Sequence, residues 1–183
     1  MKTILRVPTL NGDVDVNVEI NESEFAKLAA AGFTQVATKT GYERANIADD
    51  YYYETSAGDI NRYSEGHYAD DNKIYETANY YSSEIVANNN ARADRLMRQL
   101  RRFAVENREH GIDWNDHEEI KWYIAFFHHE HELCVYNALK CQSFGVIYFD
   151  SKEAAQAAVN AFHDELIWYF TEYKDSLWGY YEK

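Results

Sequence analysis

One stretch constrains the fold of this chain more than any other. From Glu84 to Glu109 the apolar residues Ile85, Leu96, Leu100, Phe103 and Ala104 fall at helical spacing. Arg92, Arg95, Arg98, Arg101, Arg102 and Arg108 decorate the same run, and His110-Gly111 is expected to end it. In a chain of 183 residues, a helix of that length leaves room for a small lobe on either side. The predicted fold class is α+β. Two small antiparallel-sheet lobes, each with local helices, are joined by this long central helix.

The N-terminal lobe is expected over residues 1–40. Thr3 to Leu10 and Asp13 to Ile20 read as a hairpin around Asn11-Gly12, a pair suited to a type I′ turn. Val14, Val16, Val18 and Ile20 alternate with Asp13, Asp15, Asn17 and Glu19, which predicts one buried and one wet face. Pro8 lacks an N–H, so the first strand is expected at a sheet edge. A short helix follows, capped by Asn21 or Ser23, with Phe25, Leu28 and Ala29 inward and Gly32 at its end. Phe33 to Thr40 is a candidate third strand.

Between Gly41 and Ser83 the periodicity dissolves. This stretch (residues 41–83) holds nine tyrosines and reads as an acidic insertion with short helical pieces. From residue 51 to 90 two basic residues face seven acidic ones. A long irregular segment in a compact chain is usually functional or disordered, and its aromatics favour order.

The C-terminal module is expected over residues 111–183, after the helix of residues 84–110. Ile120 to Phe127 reads as a strand, His128-His129-Glu130-His131-Glu132 as a polar turn, and Leu133 to Leu139 as the returning strand. Gly145 precedes a third strand, Val146 to Phe149. Asp150 is then expected to cap a helix, with Glu153 completing a capping box. Ala154, Ala155, Ala158, Val159 and Phe162 form its inward stripe, and Leu166, Ile167, Phe170 and Tyr173 continue in a last helix.

Composition bounds the function classes. The net charge of −13 opposes non-specific binding to nucleic acid and to anionic membrane surfaces, because both need Lys and Arg. It favours a partner with a basic surface. Sixteen tyrosines and four tryptophans are many for this length, and such side chains are enriched at interfaces. The two cysteines, Cys134 and Cys141, are too few for a disulfide framework. With no apolar leader and no run long enough to span a membrane, the expected setting is the cytoplasm.

Catalytic chemistry finds little support. His129 and His131 can project to one face of a hairpin and share a metal, with Cys134 nearby, but no further ligand falls in register. Neither cysteine occupies a helix start that would activate it. No metal, no cofactor and no catalytic residue is therefore expected. Arg92, Arg95, Arg98 and Arg102 share a helical face by steps of three and four, which makes them a candidate nucleic-acid face. The competing reading is that they pair with the chain's own acidic excess, or with that of a second copy in a homodimer.

A resemblance sharpens the partner. Asp113-Trp114-Asn115-Asp116, Lys121-Trp122-Tyr123-Ile124-Ala125 and Phe144-Gly145-Val146-Ile147-Tyr148-Phe149-Asp150-Ser151-Lys152-Glu153, followed by Ala154 to Ala158, resemble a module in small proteins of Firmicutes bacteriophages and prophages. The similarity spans roughly residues 95 to 173. His128 to His131 departs from the short acidic turn of that module. The module is carried behind variable N-terminal regions. The acidic, tyrosine-rich variable part is similar in character to anti-CRISPR inhibitors of type II effector nucleases. The resemblance implies host-defence antagonism, with a CRISPR effector nuclease, with or without guide RNA, as partner. The expected contact residues are Asp49, Asp50, Tyr51, Tyr52, Tyr53, Asp70 and Asp71. Direct DNA binding is expected to be weak or absent.

Overall fold

The computed structural model describes residues 2–9, 12–36 and 39–173. The fold is α+β, and the chain divides into two compact units, Met1–Glu43 and Arg44–Lys183.

The first unit opens on the expected hairpin. Strands β1 (Lys2–Thr9) and β2 (Gly12–Glu19) pair antiparallel, with Val7 opposite Val14 and Leu5 opposite Val16. Leu10 and Asn11 lie outside the described residues, so the predicted turn type is not at issue. Helix α1 (Glu22–Ala30) begins as its sequence dictates. Asn21 Oδ1 accepts from the Glu24 N–H, and the Glu24 carboxylate accepts from the Asn21 N–H, a reciprocal capping box. Strand β3 (Thr34–Val36) pairs with β1, so the sheet order is β2-β1-β3.

Two expectations change in this unit. The first strand is central, not an edge. Pro8 is tolerated because β3 pairs only with Ile4 to Arg6, leaving Pro8 with a neighbour on one side. The valine face of β2 is not buried either: Val14 and Val16 are exposed, while Leu5 on the same face is buried. Phe25 and Leu28 of α1 are half-buried and Ala29 is exposed, so the short helix covers only part of the sheet.

The second unit contains the long helix. Before it come β4 (Asp50–Glu54) and β5 (Ile60–Ser64), an antiparallel hairpin, and then α2 (Ala69–Glu76). The expected irregular insertion is therefore partly a two-stranded sheet. Helix α3 (Glu84–Glu106) starts at Ser83, whose hydroxyl accepts from the Val86 N–H, and ends at Asn107. Ile85 is exposed; Ala87, Ala91, Ala93, Leu96 and Leu100 are the residues that α3 buries.

Strands β6 (Lys121–Phe127), β7 (Glu132–Ala138) and β8 (Tyr148–Phe149) form a sheet of order β7-β6-β8. The third strand is shorter than Val146–Phe149. Helix α4 (Lys152–Ala161) is capped by Ser151, whose hydroxyl accepts from the Ala154 N–H. Asp150, the expected cap, instead accepts from the N–H groups of Glu109 and His110 at 2.8 and 2.7 Å. It thereby ties the chain after α3 to the start of α4. Helix α5 (His163–Trp168) and a π-helical turn (Tyr169–Tyr173) complete the unit. Leu96 and Leu100 of α3, Phe149 of β8, Leu166 of α5 and the alanines 154, 155 and 158 of α4 form one core. Trp122, Ile124, Leu133 and Val135, on the inner face of the sheet, pack against that core.

Candidate interaction surface

The tyrosine-rich segment is built around two buried carboxylates. Tyr51 lies opposite Tyr63 on the hairpin and stacks on Tyr80 with ring centroids 4.2 Å apart. Its hydroxyl donates to Asp71 Oδ1 at 2.9 Å. The other Asp71 oxygen accepts from the N–H groups of Gly66 and Tyr68 at 3.0 and 2.9 Å. Glu65 receives two donors from the Arg44 guanidinium at 3.0 and 3.1 Å, the Tyr80 hydroxyl at 2.7 Å and the His67 N–H at 2.7 Å. Both carboxylates are almost fully buried. A buried charge is tolerable when its lone pairs are met in this way.

The electrostatics follow from those contacts. The Arg44 guanidinium, helped by the Tyr80 hydroxyl and the His67 N–H, holds the Glu65 carboxyl down to about 2 against the opposing effect of burial. Burial, reinforced by Asp71, pushes the Tyr51 hydroxyl above the usual tyrosine range. Burial and Glu65 push Tyr80 up likewise. These tyrosines therefore remain neutral donors.

Above this network an open cleft of about 640 Å³ is lined by Ile47, Asp50, Arg62, Tyr63 and Tyr68. Ile47, Tyr63 and Tyr68 are 69 %, 57 % and 71 % exposed. Asp50 forms an ion pair with Arg62 at 2.9 Å, across the strand pair. Two non-glycine residues have left-handed backbone here: Ala48, which lines the cleft, at φ 73°, and His67, between the lining residues Gly66 and Tyr68, at φ 55°. That region costs an L-residue roughly 1–2 kcal/mol. Their N–H groups are anchored on Glu65, Ala48 to its carbonyl at 2.8 Å and His67 to its carboxylate. Such strain clusters at functional segments. Gly66 has no Cβ, and one added there would collide with the Tyr68 ring.

The expected contact residues divide accordingly. Asp49 and Asp70 are exposed, and Asp50 reaches the cleft. Tyr52 and Tyr53 are half-buried, and the backbone of Tyr52 bridges to Tyr81. Tyr51 and Asp71 are interior and bind each other, so in this structure neither offers a surface to a partner. Ile47, Tyr63 and Tyr68 were missing from the sequence reading. Alternation would not have found Tyr63, because it lies directly opposite the buried Tyr51 and shares its face of the hairpin, yet is exposed.

The arginine face is engaged within the chain. Arg92 forms a bidentate pair with Glu165 at 2.8 and 2.9 Å, and its guanidinium stacks 3.9 Å over Trp168. Arg95 donates to the Gly58 carbonyl, Arg98 to Glu54 at 2.9 Å, and Arg102 lies 3.8 Å from Glu106. At the β6–β7 turn, the rings of His128 and His131 make T-shaped contacts with Phe126 at centroid distances of 5.0 and 6.4 Å, and His129 is exposed. Among the described residues no three His, Cys, Asp or Glu side chains are grouped to hold a metal ion. Burial pushes the Cys134 thiol up, opposite to an activated nucleophile. Among the same residues no helix is long and apolar enough to cross a membrane.

No family model matches the chain, and no curated protein and no solved structure matches it either.

Proposed function

We propose that the chain is a binding protein that antagonises a nucleic-acid-handling enzyme by covering its basic surface. The contact face is the cleft of Ile47, Tyr63 and Tyr68 with Asp50 in its lining, together with the exposed Asp49 and Asp70, which are one and two residues along the chain from lining residues. The observation that carries this reading is the exposure of three large apolar or aromatic side chains at one concave site in a chain of net charge −13. Aromatic anchors in a pocket supply interface energy, and surrounding carboxylates steer a basic partner into register. The phage-module resemblance supports an RNA-guided type II effector nuclease as the target class. Such enzymes hold nucleic acid in positively charged channels.

The alternative, nucleic-acid binding through the arginine helix, is less well supported, because Arg92 and Arg98 already hold carboxylates of the same chain.

Pull-down of a guide-loaded type II effector with wild-type protein tests the proposal, with Tyr63→Ala/Tyr68→Ala as the comparison. Capture by wild type and its loss in the double variant are expected. Equal capture by both, or none by wild type, overturns the reading.

A further inference from the structure

Two sheets of this protein end in exposed strands, and the two edges are chemically opposite. Strand β2, at the edge of the N-terminal sheet, carries Asp13, Asp15 and Glu19 within its eight residues. Strand β7, at the edge of the C-terminal sheet, has the sequence ELCVYNA. Its one charge is Glu132 at the first position, and Leu133 to Ala138 are uncharged.

An unpaired edge offers a row of backbone N–H and C=O groups. Proteins guard such edges with charges, prolines or bulges. On β2 the carboxylates are such a guard, since a second β2 laid alongside would bring like charges together. On β7 the guards are absent: there is no proline, no lysine, and the seven-residue register with β6 runs without a bulge. Among the described residues no strand pairs with the outer edge of β7.

The outward face beside that edge is aromatic. Trp114 meets Tyr148 at 4.9 Å, Tyr148 meets Tyr123 at 5.8 Å, Tyr123 meets Tyr136 at 6.2 Å and Tyr136 meets Phe127 at 5.7 Å. This ladder runs across the sheet to Tyr136 on β7, which is 49 % exposed. The opposite face is already covered, because Leu133 and Val135 pack on the core with α4.

We propose that β7 pairs antiparallel with β7 of a second copy, fusing two three-stranded sheets into one of six strands about a two-fold axis. The uncharged strand suits a copy of itself. An isologous contact needs a patch that tolerates its own image, and Leu133 to Ala138 contains no charge that would be set against itself. A basic peptide finds no carboxylate there beyond Glu132. Anionic single-stranded nucleic acid, which also stacks on aromatic sheets, finds no accessible cation on the strand and meets the chain's overall negative charge.

The salt response separates this contact from binding to a basic target. Two chains of net charge −13 repel each other, so added salt strengthens their association, whereas it weakens attraction to a cationic partner. Sedimentation velocity of the full chain from about 1 to 200 μM, at low salt and at about 0.5 M NaCl, tests the pairing. A species of twice the chain's 21.4 kDa mass is expected at the upper concentrations, with at least tenfold tighter association at high salt. Tyr136→Lys/Asn137→Lys, and the milder Asn137→Lys alone at an exposed position, are expected to restore the monomer with an unchanged circular dichroism spectrum. A wild-type chain that stays monomeric throughout overturns the proposal. So does a dimer that persists in the folded lysine variants, or one that forms only when single-stranded nucleic acid is added.

Discussion

The Tyr51 hydroxyl donates to Asp71 at 2.9 Å inside the second unit, so two of the most conspicuous residues of the acidic segment serve each other. Asp71 also receives the N–H groups of Gly66 and Tyr68, which places the exposed Tyr68 ring directly after a buried anchor. The interior network thus sets the shape of the surface above it.

Removing one half of this pair has an unequal cost. Tyr51→Phe deletes one hydrogen bond and leaves two on Asp71, for an expected loss of about 1–2 kcal/mol. Asp71→Lys buries an unmatched cation and is expected to cost more than about 3 kcal/mol or to prevent folding. Urea unfolding of the two variants checks the order.

Acid should destabilise the protein through Glu65. Its folded value near 2 lies below the ordinary 4.5, so the folded state favours the ionised form. The associated stability is complete above pH 4.5 and is lost as pH falls from there towards 2. Glu65→Gln is expected to be less stable at neutral pH and to show a shallower decline across that window. A variant with the wild-type acid profile would remove Glu65 from this role.

Ala48 has a φ of 73°, a conformation glycine adopts freely. Ala48→Gly is expected to change stability by about +1 kcal/mol or less, since relief of strain is partly offset by the extra freedom of the unfolded chain. A thermal melt that falls by several degrees instead would mean that the Ala48 methyl group contributes packing.

Gly66→Ala probes the cleft without touching a charge. The new methyl group must displace the Tyr68 ring, the mobile end of an exposed side chain. Nearly unchanged stability with at least tenfold weaker capture of the target is expected, measured by paired denaturation and binding titrations.

Much of the C-terminal module is legible from sequence because its signals are local. The alanine stripe of α4 is buried at positions 154, 155 and 158, and β6 and β7 pair as their apolar runs suggest. The N-terminal hairpin and the Asn21 cap follow from local chemistry too. The β4–β5 hairpin was hidden because its strands read DYYYE and INRYS. Tyrosine is amphipathic, so Tyr51 inside and Tyr63 outside look alike to a period-two pattern. Asp150 misled for a related reason. It precedes a helix in cap-like sequence, but the N–H groups that it satisfies belong to Glu109 and His110, about forty residues earlier. The division of Asp49, Asp50 and Asp70 from Asp71 depends on the same long-range folding.

The most direct test reverses the three outward carboxylates and leaves Asp71 alone. Asp49→Lys/Asp50→Lys/Asp70→Lys should fold, since exposed charges contribute little to stability. Stopped-flow association with a guide-loaded type II effector should then be at least tenfold slower than wild type at low salt. The wild-type rate should fall steeply as salt rises, and the variant rate should not. A folded triple variant that associates at the wild-type rate, with the same salt dependence, would contradict the assignment of this face to a basic partner.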